Sequence, residues 1–479
     1  LLSRRRHLQF QTCTEDPRLT LVAHEGDPVM RRIGLLDHMT GANLGDAATQ
    51  DAVIHNIQKR QPDSEICLFS HDPDRTLERH GISGFPLEPS VGGSHVTVEE
   101  TELRQEQSST AARRRAMEST RALLKRVPGA RGLYHGLERL RREVPFAGRS
   151  LSILRDFDLL VVSGGGQLDD TWGGCWQAPF NLLRWSALAR LRGTRLVYLS
   201  VGAGPLREAL SRKFAVRALR LAGFRSFRDQ ESADLVERLG VPGPNPVFPD
   251  LAHSYPIDLE TSADWPVDHP LDVGIGPFPY MNPRLYPEKD ASQYASYLAA
   301  MASFAEWLVD HGHRARFLCG DVDQDTEVMS DIRTVLVDRD RARVAEQLLQ
   351  TPIATVENLL DEIAKTDVVL SSRFHGVLFA QLLNKPVIAA SYHQKIDSLM
   401  ADVGQAEQSM PIGALEVDPM IRCLQEISLE GEAIKQRIHA RVTERRQSLE
   451  ALYDGIFGEV SVGTAADATH RTGSKSTPD

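Results

Sequence analysis

Cysteine is scarce and unorganised in this chain: five residues (Cys13, Cys67, Cys175, Cys319, Cys423) in 479, never spaced Cys-x-x-Cys. Neither a disulfide framework nor a zinc knuckle follows, and a reducing compartment is expected. No apolar run approaches the ~18–20 residues that a membrane-spanning helix requires. The opening Leu-Leu-Ser-Arg-Arg-Arg-His is basic but has no apolar stretch behind it, so it does not read as a secretory signal. The expected location is cytoplasmic. Positive charge is not in excess: the net charge is -10 and the pI near 5.9, which argues against a nucleic-acid binder. Gly-x-Ser-x-Gly, His-Glu-x-x-His, a Walker loop and any metal-spaced histidine cluster are also missing, so no metal site is assignable.

What is present is the composition of an ordinary globular protein, 41% hydrophobic and 25% charged, in a chain long enough for two domains. Residues 1–30 form an irregular arm. Arg31–Met39 reads as a first strand, Thr40–Ala48 as its loop, Ala52, Val53 and Ile57 as a helix face, and Glu65–Ser70 as a second strand. A stretch over about 81–149 interrupts this first α/β unit (31–255). Its front, Gly81–Ser109, reads as a surface excursion, and Arg113–Arg149 carries eleven Lys/Arg against three Glu. That basic stretch is either a solvated helix face or a surface that meets membrane headgroups.

Asp158–Ser163, Arg195–Ser200 and Phe224–Phe227 are further apolar strands, with Asp250 ending an extended run. Pro256–Pro270 is the linker. A second α/β unit (271–459) follows with strands at Leu271–Ile275, Ala315–Cys319, Val368–Leu370 and Val387–Ala390, then late helices and a disordered tail, 460–479. The expected architecture is two doubly wound, Rossmann-like α/β domains facing a cleft, a glycosyltransferase-B-like arrangement. A late helix would return to brace the first unit.

The residues of chemical interest fall where strands end. Arg373 and His375 lie between the strand Val368–Leu370 and the helix that starts near Val377. Free N–H groups and the positive end of a helix dipole favour an anion there. The arginine adds a planar fork and the histidine a movable proton; the plain alternative is an ion pair and a cap. Arg228-Asp229 occupies the same kind of position, so two arginines facing one cleft would clamp two anionic groups, unless Asp229 simply neutralises Arg228. Gly164 and Gly165 open a strand end to a ligand or to close packing. Gly204 belongs to a Gly-Ala-Gly-Pro loop that lacks the third glycine of a dinucleotide fingerprint. Asn43 and Asp46 sit in the first loop, Asp46 as an N-cap or a base. Asp250 orients a hydroxyl or closes a turn, and Lys395 with Tyr392 follows the last strand.

Taken together, Asn43-Leu-Gly-Asp46, Ser163-Gly-Gly-Gly166, Gly202-Ala-Gly-Pro-Leu206, Arg228-Asp229, Pro249-Asp-Leu-Ala252, Ser372-Arg-Phe-His-Gly376 and Lys385-Pro386 through Tyr392 and Lys395 resemble the polysaccharide pyruvyl transferase family, over about Gly34–Gly404. The resemblance implies transfer of a pyruvyl group from phosphoenolpyruvate onto two hydroxyls of a saccharide in exopolysaccharide or cell-surface glycan synthesis. It implies Arg228, Arg373 and His375 as the catalytic donor group, with Gly164, Gly165, Gly204 and Lys395 beside them. Asp46, Asn43 and Asp250 would be acceptor contacts, and no cofactor beyond the donor is needed. The basic stretch adds the expectation of a lipid-linked acceptor at the inner membrane surface. Two readings compete: a nucleotide-sugar glycosyltransferase on the same frame, and a saccharide- or anion-binding module without catalysis.

Overall fold

The computed structural model describes residues 32–36, 42–89, 130–171, 173–258, 265 and 270–458. The N-terminal arm, residues 90–129 of the insertion with the front of the basic stretch, most of the linker and the tail lie outside the described residues.

The first sheet is built from β1 (Arg32–Leu36), β2 (Glu65–Ser70), β3 (Gly84–Pro86), β4 (Leu159–Ser163), β5 (Arg195–Val201) and β6 (Phe224–Phe227). Their order is β3-β2-β1-β4-β5-β6 and every pairing is parallel. Strands such as β4, Leu-Leu-Val-Val-Ser, are apolar throughout because helices cover both faces of a parallel sheet. Those helices are α1 (Leu44–Arg60), α2 (Pro73–His80), α3 (Ala130–Ile153), α4 (Ala178–Arg192), α5 (Ala209–Leu221) and α6 (Gln230–Arg238). On one face the rings of Phe69, Phe157 and Trp185 meet, Phe69 lying 4.7 Å from Trp185 and 5.5 Å from Phe157.

The second sheet contains β7 (Asp272–Gly276), β8 (Arg314–Phe317), β9 (Val368–Ser371), β10 (Val387–Ser391) and β11 (Ser409–Pro411), ordered β11-β10-β9-β7-β8 and again wholly parallel. Its helices are α7 (Ala291–Asp310), α8 (Asp325–Asp338), α9 (Ala342–Gln347), α10 (Val356–Ala364), α11 (Phe374–Leu382), α12 (Gln394–Asp402) and α13 (Val417–Phe457). Two Rossmann-like domains are the result. The order of strands reverses between β1 and β4 in the first sheet and between β7 and β9 in the second. Ligands of such sheets bind beyond the strand carboxyl ends at these reversals, and the loops after β1, β4 and β9 carry Asn43, Gly164 and Arg373.

Helix α13 spans both domains. Met420 to Val442 pack in the core of the second, while Leu449, Leu452, Tyr453, Ile456 and Phe457 join Val53 of α1 in the core on the face of the first sheet that holds Ile33, Leu35 and Leu68. Each of these apolar side chains contributes about 1.5–3 kcal/mol of transfer free energy when buried. Between the domains Arg445 donates to His253 Nε2 (3.0 Å) and to Gln381 Oε1 (3.1 Å), fixing the helix to both.

Two short strands differ from expectation. Gly84–Pro86 pairs with β2 where a surface excursion was expected, and Ser409–Pro411 adds an edge to the second sheet. Neither has an apolar alternation to announce it. The run before Asp250 is extended but holds only a single bridge, Phe227 to Val247.

Candidate functional site

The N-termini of α1 and α11, one from each domain, meet at His375. Asn43 caps α1, its Oδ1 accepting Gly45 N–H at 2.9 Å. The adjoining backbone crosses to the other domain: Leu44 N donates to Gly320 O (2.9 Å) and Val322 N to Ala42 O (3.1 Å). The His375 ring lies on Gly45 so closely that a Cβ there would stand 2.1 Å from its Cγ and Nδ1. Two positive helix ends therefore converge on one imidazole, an arrangement that attracts anions and disfavours imidazolium.

The cations come from both domains. Arg228, at the end of β6, donates through Nε to Asp229 Oδ2 (3.4 Å) and through Nη1 to Asp250 Oδ2 (3.5 Å), both near the long limit of a hydrogen bond. Its Nη2 lies against Gly202, where a Cβ would approach to 2.4 Å. Arg373, at the N-cap position of α11, donates through Nε to both oxygens of Asp325 (3.0 and 2.8 Å) and through Nη2 to Oδ1 (2.5 Å). Two rings organise these charges. Phe374 carries Arg228 at 5.0 Å and Lys395 at 5.6 Å from its ring centroid. Phe278 carries Arg373 at 4.9 Å and stacks on Tyr392 at 4.6 Å and 7°. Cation–π contacts of this kind are worth about 0.5–2 kcal/mol and need no anionic partner. Arg228, Arg373 and His375 retain side-chain exposures of 10%, 13% and 14%, a narrow opening to solvent.

Burial, with Arg228, Lys395 and Arg373 nearby, pushes His375 down to about 4 despite Asp250, so the imidazole is neutral near pH 7. Its Nε2 is buried without a hydrogen-bond partner among the described residues, 3.9 Å from Asp250 Oδ1. For Asp250 burial acts upward, but His375, Arg228 and the Ala252 N–H outweigh it and hold the carboxyl below its ordinary range. Since the imidazole is neutral, Arg228 is the cation that stabilises this carboxylate.

Of the residues expected at the donor site, Arg228, Arg373, His375 and Lys395 are brought together and Gly165 adjoins Arg228 through Gly202, whereas Gly164 packs on Thr49 and Leu251. Gly164 (φ 56°) and Gly165 (φ 68°) need the left-handed backbone that glycine permits, and Gly202 N bonds Gly165 O at 2.8 Å beside Arg228. Gly204 packs instead on Leu235 of α6. The three expected acceptor contacts are placed differently. Asn43, not Asp46, is the cap of α1, and its side chain is spent there. Asp46 is buried in the first turn, and Asp250 is buried as counter-ion to Arg228 and cap of a 3-10 turn, Leu251–Ser254. Asp250 thus stands with Arg228 and His375, Asp46 is enclosed, and Asn43, half-buried, caps the helix. Residues that sequence reading missed are Phe278, Phe374, Asp321 and Asp325. The acid-rich run Gly320-Asp-Val-Asp-Gln-Asp325, directly after β8, was the available signal.

Comparisons with known proteins bear on the family and the fold. A profile of the polysaccharide pyruvyl transferase family matches residues 43–394. No curated protein matches the chain. Among solved structures the chain resembles a UDP-GlcNAc 2-epimerase from Neisseria meningitidis bound to UDP-GlcNAc, at 12% identity and TM-score 0.51, covering 88% of this chain and 99% of that one. A putative UDP-N-acetylglucosamine 2-epimerase from Listeria monocytogenes gives 10% identity and TM-score 0.52, covering 88% and 94%. Anabaena HepE in complex with UDP and glucose gives 14% identity and TM-score 0.50, covering 88% and 99%. At these identities the likeness is one of fold, that of two-domain glycosyltransferases and epimerases. The family profile spans most of the chain, Arg228, Arg373 and His375 included, and ends one residue before Lys395, so the chain belongs to the polysaccharide pyruvyl transferase family.

Proposed function

We propose that this protein transfers the pyruvyl group of phosphoenolpyruvate onto two hydroxyls of a saccharide, forming a cyclic ketal and releasing phosphate. The observation that carries this reading is the meeting of Arg228, Arg373 and Lys395 around a buried His375 whose Nε2 has no hydrogen-bond partner among the described residues. Phosphoenolpyruvate brings a phosphate and a carboxylate, and each arginine, partly bound by acids, has one guanidinium nitrogen without a hydrogen bond among the described residues. His375 is neutral while three cations surround it; donor anions offset those cations, and the imidazole then takes up a proton. That proton passes from Nε2 to the methylene carbon of the donor, which becomes the methyl group. One acceptor hydroxyl bonds to the neighbouring carbon and gives up its proton. The carbon–oxygen bond to phosphate breaks with both electrons leaving on phosphate, and the second hydroxyl closes the ketal with loss of its own proton.

The acceptor in this reading is a saccharide of exopolysaccharide or cell-surface glycan synthesis, met in the cytoplasm. The exposed face of α3, with Arg141, Arg142 and Arg149 beside Leu140 (58% exposed) and Val144 (61% exposed), suits the headgroups around a lipid-linked form. No helix among the described residues is long and apolar enough to cross a membrane.

The test is thermal stabilisation by phosphoenolpyruvate, with UDP and NAD alongside, on the unaltered chain and on Arg373→Ala. A ligand bound only to the folded state at 100 times its dissociation constant adds roughly 2.7 kcal/mol. Stabilisation by phosphoenolpyruvate that disappears in the variant is expected. Stabilisation by UDP alone would overturn the donor assignment in favour of a nucleotide-sugar enzyme.

A further inference from the structure

Arg373 is held from behind by a carboxylate that also holds the junction between the domains. Asp325 begins α8 and is fully enclosed, its side chain 0% exposed. One carboxylate meets four donors: Arg373 Nε, Arg373 Nη2, and the backbone N–H groups of Gly320 and Asp321, the last two at 2.9 Å to Oδ2. Those N–H groups belong to the loop that bonds Ala42 and Leu44 of the first domain. Gly320 makes the approach possible, because a Cβ there would stand 2.8 Å from Arg373 Cδ. Arg373 Nη1 is the guanidinium nitrogen left without a hydrogen bond among the described residues. Arg228, by contrast, meets its acids only at 3.4 and 3.5 Å.

We propose that Asp325 is a positioning residue of the donor site, fixing Arg373 so that Nη1 is offered to the donor anion while clamping the 320–322 loop that bridges the domains. This inference rests on the donor reading above. Its physical content is preorganisation: an arginine already locked by two nitrogens loses less side-chain freedom when a third binds an anion. A partly free arginine can adapt to the ligand; a locked one defines where the ligand sits. The donor therefore registers on Arg373, and Arg228 closes on it.

Asp325→Asn separates the two tasks. Asparagine keeps one oxygen for the Gly320 and Asp321 N–H groups and for Arg373 Nε but turns an amide donor toward Arg373 Nη2, so the loop stays anchored while the charge and the Nη2 contact that orient Arg373 are lost. Phosphoenolpyruvate titrated into the full chain by calorimetry should bind at least tenfold more weakly to Asp325→Asn. Asp325→Asn combined with Arg373→Ala should bind no more weakly than Arg373→Ala alone, because the carboxylate acts through that arginine. Asp325→Glu, which keeps the charge, should recover part of the affinity. Melting curves without ligand identify any variant that fails to fold and restrict the comparison to those that do. Equal binding by the unaltered chain and Asp325→Asn would overturn the inference alone, as would additive losses in the double variant. Absence of binding by the unaltered chain would overturn the donor reading and this inference with it.

Discussion

Gly45→Ala isolates the meeting of the two helix ends from every charge in the site. The added Cβ would stand 2.1 Å from His375 Cγ and Nδ1 and 2.4 Å from its Cβ, whereas ordinary contact begins at 3.4 Å. Relief requires a displacement of roughly 1.3 Å (3.4 less 2.1), either of the imidazole or of α1 away from α11. The second route stretches the 2.9 Å bond from Leu44 N to Gly320 O beyond hydrogen-bonding distance. Alanine improves helix propensity by at most about 1 kcal/mol. Against this stand about 1–3 kcal/mol for overpacking and about 1 kcal/mol for a lost hydrogen bond. The variant should be less stable by about 1–3 kcal/mol and should bind phosphoenolpyruvate at least tenfold more weakly. Gly148→Ala on α3 is the matched control: nothing among the described residues lies within 4 Å of its new Cβ, so it should leave binding unchanged and hold or raise stability. Denaturant unfolding and calorimetry read both quantities. A Gly45→Ala protein that unfolds and binds like the unaltered chain would refute the close packing of His375 on α1.

Acid should destabilise the fold through two buried neutral histidines, His375 held at about 4 and His253 at about 3, the latter chiefly by burial. Both lie below the unfolded value near 6.5, so the unfolded chain binds more protons between those limits and stability falls as pH drops through that window. Each histidine contributes up to about 1.4 kcal/mol per pH unit there, and unfolding midpoints at pH 7 and pH 5 that coincide would contradict it. Leu452→Ala, on the part of α13 that packs against β1, should cost about 2–5 kcal/mol in equilibrium unfolding, and a cost below 1 kcal/mol would mean that the helix end is not part of that core.

Much of the fold was legible because buried parallel strands announce themselves as unbroken apolar runs, as Leu159–Ser163 and Val387–Ser391 do. The edge strands Gly84–Pro86 and Ser409–Pro411 were not, because an edge pairs on one side only and tolerates Gly and Pro. Arg228, Arg373, His375 and Lys395 were readable from their places at strand ends and helix starts. Their neighbours were harder. Asn43 and Asp46 are both competent caps, and only the backbone decides which one begins the helix. The tie between Asp325 and Arg373 joins residues 48 apart, and no local pattern encodes it. For the same reason the buried role of Asp250 was hidden: its partners arrive from another strand and another domain.

The crossing of α13 has a consequence for how the molecule comes into being. The face of the first sheet bearing Ile33 and Leu35 is covered by Leu449 to Phe457, the last described turns of the chain. A nascent polypeptide leaving the ribosome can assemble six parallel strands early, yet it carries an open apolar seam until residue 457 has emerged. Completion of the first domain is therefore deferred until the second has been made. A fragment ending near residue 255 should expose that seam and aggregate, whereas residues 417–457 supplied as a separate segment have a ready-made groove to fill.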